Sequence, residues 1–229
     1  MFIVPSRGRP QRLLQLIDSF GSNDLRLPVV VVLSADDETA KDYFKLKLPL
    51  TWGIIVDPTT PGSNGAALNF AYRSFPNAAF YGLLADDVLI ETKDRLADLA
   101  KAAGRWFVSA PNEGHHENNL FCYPVLGGEL VRTLGWIAFP PLQHNCIDSV
   151  IDDIAKALRL DRYFPDIKFI AKHPAYGNAP SDATYERADE FNKLSGDIYT
   201  RQCHGIERAP TLNRIKAAMA EDKNGPGDA

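Results

Sequence analysis

Long apolar runs are missing from this chain of 229 residues. Its longest purely aliphatic stretch is Val29–Leu33, against the roughly 20 residues needed to cross a bilayer. No membrane span and no membrane partner are expected. Pro5, Arg7 and Arg9 interrupt the opening residues before an apolar core can form, so no signal peptide is expected either. Cysteine is scarce. Cys122, Cys146 and Cys203 are an odd number without a C-x-x-C, which argues against a disulfide framework and for a reducing cytoplasm. Charge of one sign is lacking too. With 25 Lys and Arg against 29 Asp and Glu, the net charge is −4, and no strong electrostatic footprint for nucleic acid results. Neither G-x-G-x-x-G nor G-x-x-x-x-G-K-[ST] occurs, so a dinucleotide Rossmann site and a P-loop lack support. What is present is 45% apolar and 24% charged residues. That balance is ordinary for a soluble globular enzyme and excludes disorder of the whole chain.

Short β-rich runs alternate with helix-patterned stretches. Phe2–Val4, Val29–Leu33, Trp52–Val56, Phe80–Leu84 and Trp106–Ala110 read as strands. Pro10 opens a first helix with Leu13, Ile17 and Phe20 on one side. Glu38–Lys47 reads as a charged, exposed helix, and Asn64–Ser74 and Lys93–Ala103 as two more. This rhythm predicts an α/β fold with a mostly parallel central sheet and helices on both faces. After Pro111 it changes. Pro111–Asn119 reads as a polar loop, Leu120–Val125 as a strand and Gly128–Leu134 as a short helix. Ile147, Ile151, Ile154 and Leu158 give a helical stripe. Ile167–Ala171 is a last strand, Pro174–Asp182 a loop, and Thr184–Leu194 and Thr211–Ala220 two more helices. Residues 223–229 are expected to fray.

In an open α/β sheet, ligands bind beyond the carboxyl ends of the strands. Those ends are unusually polar here: Pro5-Ser6-Arg7-Gly8-Arg9, Ser34-Ala35-Asp36-Asp37, Asp57 with Gly62-Ser63-Asn64-Gly65, and Asp86-Asp87. Two carboxylates closing an apolar strand repel each other and lose hydration. A divalent cation offsets both penalties and accepts phosphate oxygens as further ligands. Asp86-Asp87 therefore suggests metal–pyrophosphate binding, or otherwise the cap of a strand. Arg7 and Arg9 flank Gly8 and suit a phosphate, or a solvated basic turn. The start of the Asn64 helix offers backbone N–H groups to an anion.

The order of these motifs resembles the GT-A-fold glycosyltransferases, in particular the large inverting family-two type. Phe2-Ile3-Val4-Pro5-Ser6-Arg7-Gly8-Arg9-Pro10 is similar to that family's opening strand and nucleotide loop. Val30–Asp37 is similar to its second strand and acidic turn, and Asn64-Gly65-Ala66-Ala67-Leu68-Asn69 to its Gly-Ala-x-x-Asn helix. Leu83-Leu84-Ala85-Asp86-Asp87-Val88 is similar to the strand with its metal-binding acidic motif, except that the first acidic position is Ala85. The likeness covers Met1 to Glu91 well and the remainder loosely.

The resemblance implies a single GT-A-like domain with a C-terminal acceptor-side extension. Residues 1–110 would form the nucleotide-sugar-binding half and 111–222 the acceptor-side half. Pro5, Ser6, Arg7, Arg9, Asp36, Asn64, Asn69 and Asp86 would hold the nucleotide, UDP or another. Asp87 and a late histidine, His173, would hold Mn²⁺ or Mg²⁺. Asp148 opens the Ile147–Leu158 helix and would be the catalytic base, or simply a partner of that helix's dipole. The implied activity moves a sugar from a nucleotide-diphosphate donor to a hydroxyl of a small molecule, a protein or a modified base of phage DNA. A sugar-phosphate nucleotidyltransferase and a non-catalytic nucleotide-binding module are the alternatives. His144 and Cys146 lack zinc-finger spacing, and His115 and His116 read as exposed loop residues.

Overall fold

The computed structural model describes residues 1–224. Four parallel strands run side by side: β1 (Phe2–Pro5), β2 (Val29–Ser34), β3 (Trp52–Asp57) and β4 (Phe80–Leu83). Four more extend the sheet: β5 (Val88–Ile90), β6 (Val108–Asn112), β7 (Val125–Gly127) and β8 (Asp161–Ala171). The spatial order is β3-β2-β1-β4-β7-β6-β8-β5. β7 runs antiparallel to both neighbours and β5 antiparallel to β8. The other strands share one direction, as the alternation of strands and helices implies.

Strand β2 is apolar at every position but its last, and all of it is buried. Successive side chains of a strand point to opposite faces, so a run of five apolar residues needs cover on both sides. Val30 and Val32 join Ile3 in one core. Val29, Val31 and Leu33 join Phe2 and Val4 in another. The first core is closed by α3 (Asn64–Ser74), α5 (Gly128–Leu134), α6 (Ile147–Leu158) and α8 (Arg208–Asn224). The second is closed by α1 (Pro10–Ser19), the four-residue α2 (Ala40–Tyr43) and α4 (Leu96–Ala103). Helix α7 (Ala183–Ile198) follows β8 and continues as a π-helical turn, Tyr199–Ile206. A Cβ on Gly82 would come within 2.2 Å of the Phe2 ring, so the β1–β4 contact requires glycine there.

Several expectations need correction. Glu38–Lys47 is no exposed helix: it turns helical only at α2, where Tyr43 is fully buried. Residues 120–124 do not form a strand, because Tyr123 adopts a left-handed φ of 54° that a strand cannot continue. Strand β5 is only three residues long and too short to read by periodicity. Strand β8 starts at Asp161, earlier than its apolar part suggests. Its register against β6 shifts between Pro111 and Asn112, opposite Phe164 and Lys168, with Pro165 in the displaced stretch. Residue 110, the expected border between the halves, lies inside β6. Of the expected tail, Lys223 and Asn224 belong to α8, and 225–229 lie outside the described residues.

Helix α4 has no capping side chain of its own, since Arg95 precedes it. Asp24 supplies the cap from far along the chain. It is 1% exposed, and its carboxylate accepts the N–H groups of Leu96 at 3.0 Å and Asp94 at 2.5 Å. Burial raises this carboxyl, and the N–H groups only partly compensate. Truncating it strands the buried Leu96 N–H and frees the partly buried Asp94 N–H. Asp24→Ala should therefore lower the unfolding free energy by about 1–3 kcal/mol. Urea denaturation reads this as a lower midpoint at constant slope; an unchanged midpoint would rule out the cap.

Candidate functional site

The carboxyl ends of β1, β2 and β4 open on one cleft of about 500 Å³. Pro5 lines it from the end of β1, Ser6, Arg7 and Arg9 from the loop that follows, and Asn64 from the start of α3. Asp86 and Asp87 line it beyond β4, Asp148 from α6, and His173 from beyond β8. Residues read from widely separated segments are thus brought together. The close approach of α3 to the loop before α6 rests on Gly65. Its N–H donates to Gln143 O at 2.8 Å, and a Cβ there would sit 2.2 Å from Leu142 O. That contact delivers His144 and Asn145 to the cleft.

The acidic pair is held by a relay of donors. Arg9 N–H donates to the Tyr43 hydroxyl at 2.8 Å, Tyr43 lies 2.8 Å from Ser6 Oγ, and Ser6 Oγ donates to Asp86 Oδ2 at 2.6 Å. Asp86 is buried, and burial together with the Asp87 charge pushes its carboxyl up to about 6, against the pull of Arg9 and Ser6. Asp87 Oδ2 lies 2.7 Å from the Tyr185 hydroxyl and 3.7 Å from Arg9 Nη1. The buried Arg9 guanidinium forks onto Asp182, at 2.9 and 2.6 Å, and stacks 3.8 Å from the centre of the Tyr185 ring. Arg12 approaches Asp182 at 3.5 Å.

Three of the expected nucleotide ligands take other roles. Arg9 lines the cleft but directs Nε and Nη2 to Asp182 and Nη1 to Asp86, so it balances the acidic pair and keeps only part of its five N–H donors for a phosphate. Asn69 does not line the cleft. It fastens α3 to the segment before α6, accepting from Ile137 N at 2.9 Å and Ala138 N at 3.1 Å and donating to Ala138 O at 2.7 Å. Asp36 also stands behind the cleft wall. It ties Arg7 at 2.6 Å to Arg187 at 3.0 Å. Burial raises its carboxyl, but the hydrogen bond from Arg7, the Gly62 N–H and the two guanidinium charges outweigh this and lower it.

At the other side of the cleft, Asp148 Oδ1 accepts the Ser149 N–H at 2.9 Å, and Cys122 Sγ lies 3.7 Å from Oδ2. Burial raises the Asp148 carboxyl, against the Ser149 N–H. His173 lines the same cleft as the acidic pair, its Nδ1 accepting the Ala175 N–H at 3.1 Å. Its ring meets the Tyr185 ring edge-on at 4.7 Å, and the adjacent Lys172 N–H donates to Asp87 O at 2.7 Å. Strand β5 explains this: Val88 pairs with Ala171, so the chain leaves β8 beside Asp87.

Sequence reasoning missed Tyr43, His144 and Tyr185. Nothing in their local pattern marks them, since each gains its role from a segment distant in the chain. His144 senses Asp87 and His173; burial lowers its pKa, keeping the imidazole neutral at pH 7. A divalent cation fits the acidic side. Arg9 and Arg12 bring two positive charges to Asp86, Asp87 and Asp182, which leaves one carboxylate uncompensated before any phosphate arrives. The Asp87 carboxylate suits such an ion, and the His173 ring adds a nitrogen donor.

No protein-family model matches the chain, and no curated protein matches it. Solved structures do resemble it. The mannosyltransferase PcManGT from Pyrobaculum calidifontis, in complex with GDP-Man and Mn²⁺, aligns over 99% of this chain and 75% of its own, with TM-score 0.59 at 16% identity. Glucosyl-3-phosphoglycerate synthase from Mycobacterium tuberculosis, in complex with Mn²⁺, UDP and phosphoglyceric acid, aligns over 90% of this chain and 79% of its own, with TM-score 0.57 at 12% identity. A nucleotidyl transferase from Methanothermobacter thermautotroptrophicus aligns over 84% of this chain and 97% of its own, with TM-score 0.53 at 14% identity. At such identities the likeness is one of fold. The chain adopts a GT-A-like α/β fold, with the cleft described above at the carboxyl ends of its parallel strands.

Proposed function

We propose that the protein is a metal-dependent glycosyltransferase, moving a sugar from a nucleotide diphosphate to an acceptor hydroxyl. The observation that carries this reading is the convergence of Asp86, Asp87 and His173 with the Pro5-Ser6-Arg7 loop in one cleft of a GT-A-like fold. The GDP-Man, UDP and Mn²⁺ named for two proteins of similar fold support it. Asp87 and His173 would hold the cation, which when bound neutralises the leaving diphosphate. Pro5, Ser6, Arg7 and Asn64 form the donor wall. Asp148 suits the acceptor side: a half-buried carboxylate with a raised pKa is a better base than a solvated one. The cleft would take the acceptor hydroxyl of a soluble or macromolecular substrate.

The nucleotidyltransferase reading keeps one support, the fold it shares with such an enzyme. Against it, the loop after β1, Ser6-Arg7-Gly8-Arg9, is poor in glycine and lacks a following lysine. Pyrophosphate release from a nucleoside triphosphate and a sugar phosphate, without transfer from any nucleotide sugar, would favour it.

Three measurements test the glycosyltransferase reading. Calorimetry with UDP and GDP should give binding in Mn²⁺ that weakens at least tenfold in EDTA, because the carboxylates and the diphosphate repel without a cation; equal affinity in both buffers rejects the metal. Asp87→Asn should lower turnover by at least about 100-fold, as removal of several kcal/mol of charge stabilisation requires, with the circular dichroism spectrum unchanged. Asp148→Asn should lower kcat by about 10²–10⁴-fold and leave the donor KM nearly constant, the signature of a lost general base. Wild-type kcat in this variant would remove Asp148 from the chemistry.

A further inference from the structure

A second set of donors lies where β6 ends, apart from the acidic pair. Glu113, His116 and Cys122 place one carboxylate oxygen, one ring nitrogen and one sulfur within 4.8 Å of one another. Among the described residues this is the group of three such side chains that meets so closely. His116 Nδ1 lies 3.0 Å from Glu113 Oε1 and 3.6 Å from Cys122 Sγ. The segment reaches this arrangement by repeated reversals, with left-handed φ values of 85° at Gly114, 51° at Glu117 and 54° at Tyr123. The Glu113 side chain is buried and already oriented, since its two oxygens accept the His115 and His116 N–H groups at 2.9 and 2.6 Å.

These separations can be set against a metal's own dimensions. Zinc bonds of about 2.0 Å to N and O and about 2.3 Å to S, at tetrahedral angles, give ligand-to-ligand edges of about 3.3 Å for N to O and about 3.5 Å for N to S. The observed 3.0 and 3.6 Å match those edges to within a few tenths of an ångström. A plain hydrogen-bonded loop explains the Glu113 contacts with the backbone. It also accounts for the imidazole contacts taken singly, but it does not require a carboxylate, an imidazole and a thiol to converge within 4.8 Å. Sulfur with imidazole selects zinc over the oxygen-preferring Mg²⁺ and Mn²⁺.

We propose that Glu113 Oε1, His116 Nδ1 and Cys122 Sγ form a zinc site distinct from the Asp87–His173 position. On binding, the Cys122 thiol passes its proton to solvent and coordinates as thiolate. Three protein ligands leave a fourth place to water, as in open zinc sites. The Asp148 carboxylate lies 3.7 Å from Cys122 Sγ, so an ion held there would stand near it. The ion would fasten the 112–122 loop and so fix the wall of the cleft that His116 and Cys122 line.

The test needs no turnover, so its outcome is separate from that of the glycosyltransferase reading. Full-length protein is stripped with chelator and titrated with Co²⁺, then with Zn²⁺. The expected result is a thiolate-to-metal charge-transfer band in the near ultraviolet, with intense visible bands of a four-coordinate ion, whose intensity corresponds to one thiolate-bound cobalt per chain whatever binds at Asp87, both displaced by zinc. Cys122→Ser should abolish the charge-transfer band and weaken zinc at least tenfold, although Cys146 and Cys203 remain. Asp87→Asn should change neither. If Cys122→Ser does not fold, the wild-type cobalt spectrum and the zinc affinity of His116→Ala decide in its place. A cobalt spectrum without the thiolate band, zinc affinity retained in Cys122→Ser or in His116→Ala, or a band lost in Asp87→Asn would each overturn the proposal.

Discussion

Arg9 is a buried guanidinium surrounded by carboxylates, and the architecture of the cleft depends on it. It reaches Asp86 at 3.4 Å, Asp87 at 3.7 Å and Asp182 at 2.6 Å, while its backbone N–H begins the relay to Tyr43 and Ser6. Burying such a cluster contributes little net stability, because desolvation offsets most of the attraction. What it contributes is placement. The loop after β1, the end of β4 and the start of α7 meet at this guanidinium through Asp86, Asp87 and Asp182. Tyr185 reinforces the arrangement by covering Arg9 with its ring and reaching Asp87 with its hydroxyl.

The two sides of the cleft hold carboxylates perturbed for related reasons. Asp86 is raised by burial and then by the charge of Asp87 beside it. Asp148 is raised by burial, with no like-charged neighbour among its main influences. A like-charged pair calls for a cation. A single desolvated carboxylate calls for a proton. The chemistry proposed for the two sides follows from that difference in their surroundings.

The segment from Pro111 to Tyr123 shows how much a non-repetitive stretch can organise. Its polar part, Pro111–Asn119, reads as loop, and beyond the end of β6 at Asn112 it is one, with a 3-10 turn at Glu117–Asn119. Yet Glu113 is 3% exposed and anchors two N–H groups, and His115 stacks on Tyr176 at 3.6 Å between ring centres. The left-handed residues that make this possible include Glu117 and Tyr123, types with no particular preference for that conformation. Composition could not reveal them.

By itself, the sequence determined the α/β class, the four parallel strands of its first half, α3 and α6 to the residue, and the gathering of polar groups at strand ends. These are local properties. A five-residue apolar run demands two covered faces, and a helical stripe repeats every three or four residues, whatever the rest of the chain does. Only the tertiary structure decided which polar group meets which. Arg9 reads as a phosphate ligand until Asp182, 173 residues away, takes its fork. Asn69 reads as a nucleotide ligand until residues 137 and 138 occupy its amide. Glu38–Lys47 reads as solvated until Tyr43 turns inward to the Ser6–Arg9 relay. The reason is physical: a side chain's charge and shape are carried by its own residue, but its desolvation and its hydrogen-bond partners are set by segments that only folding brings near.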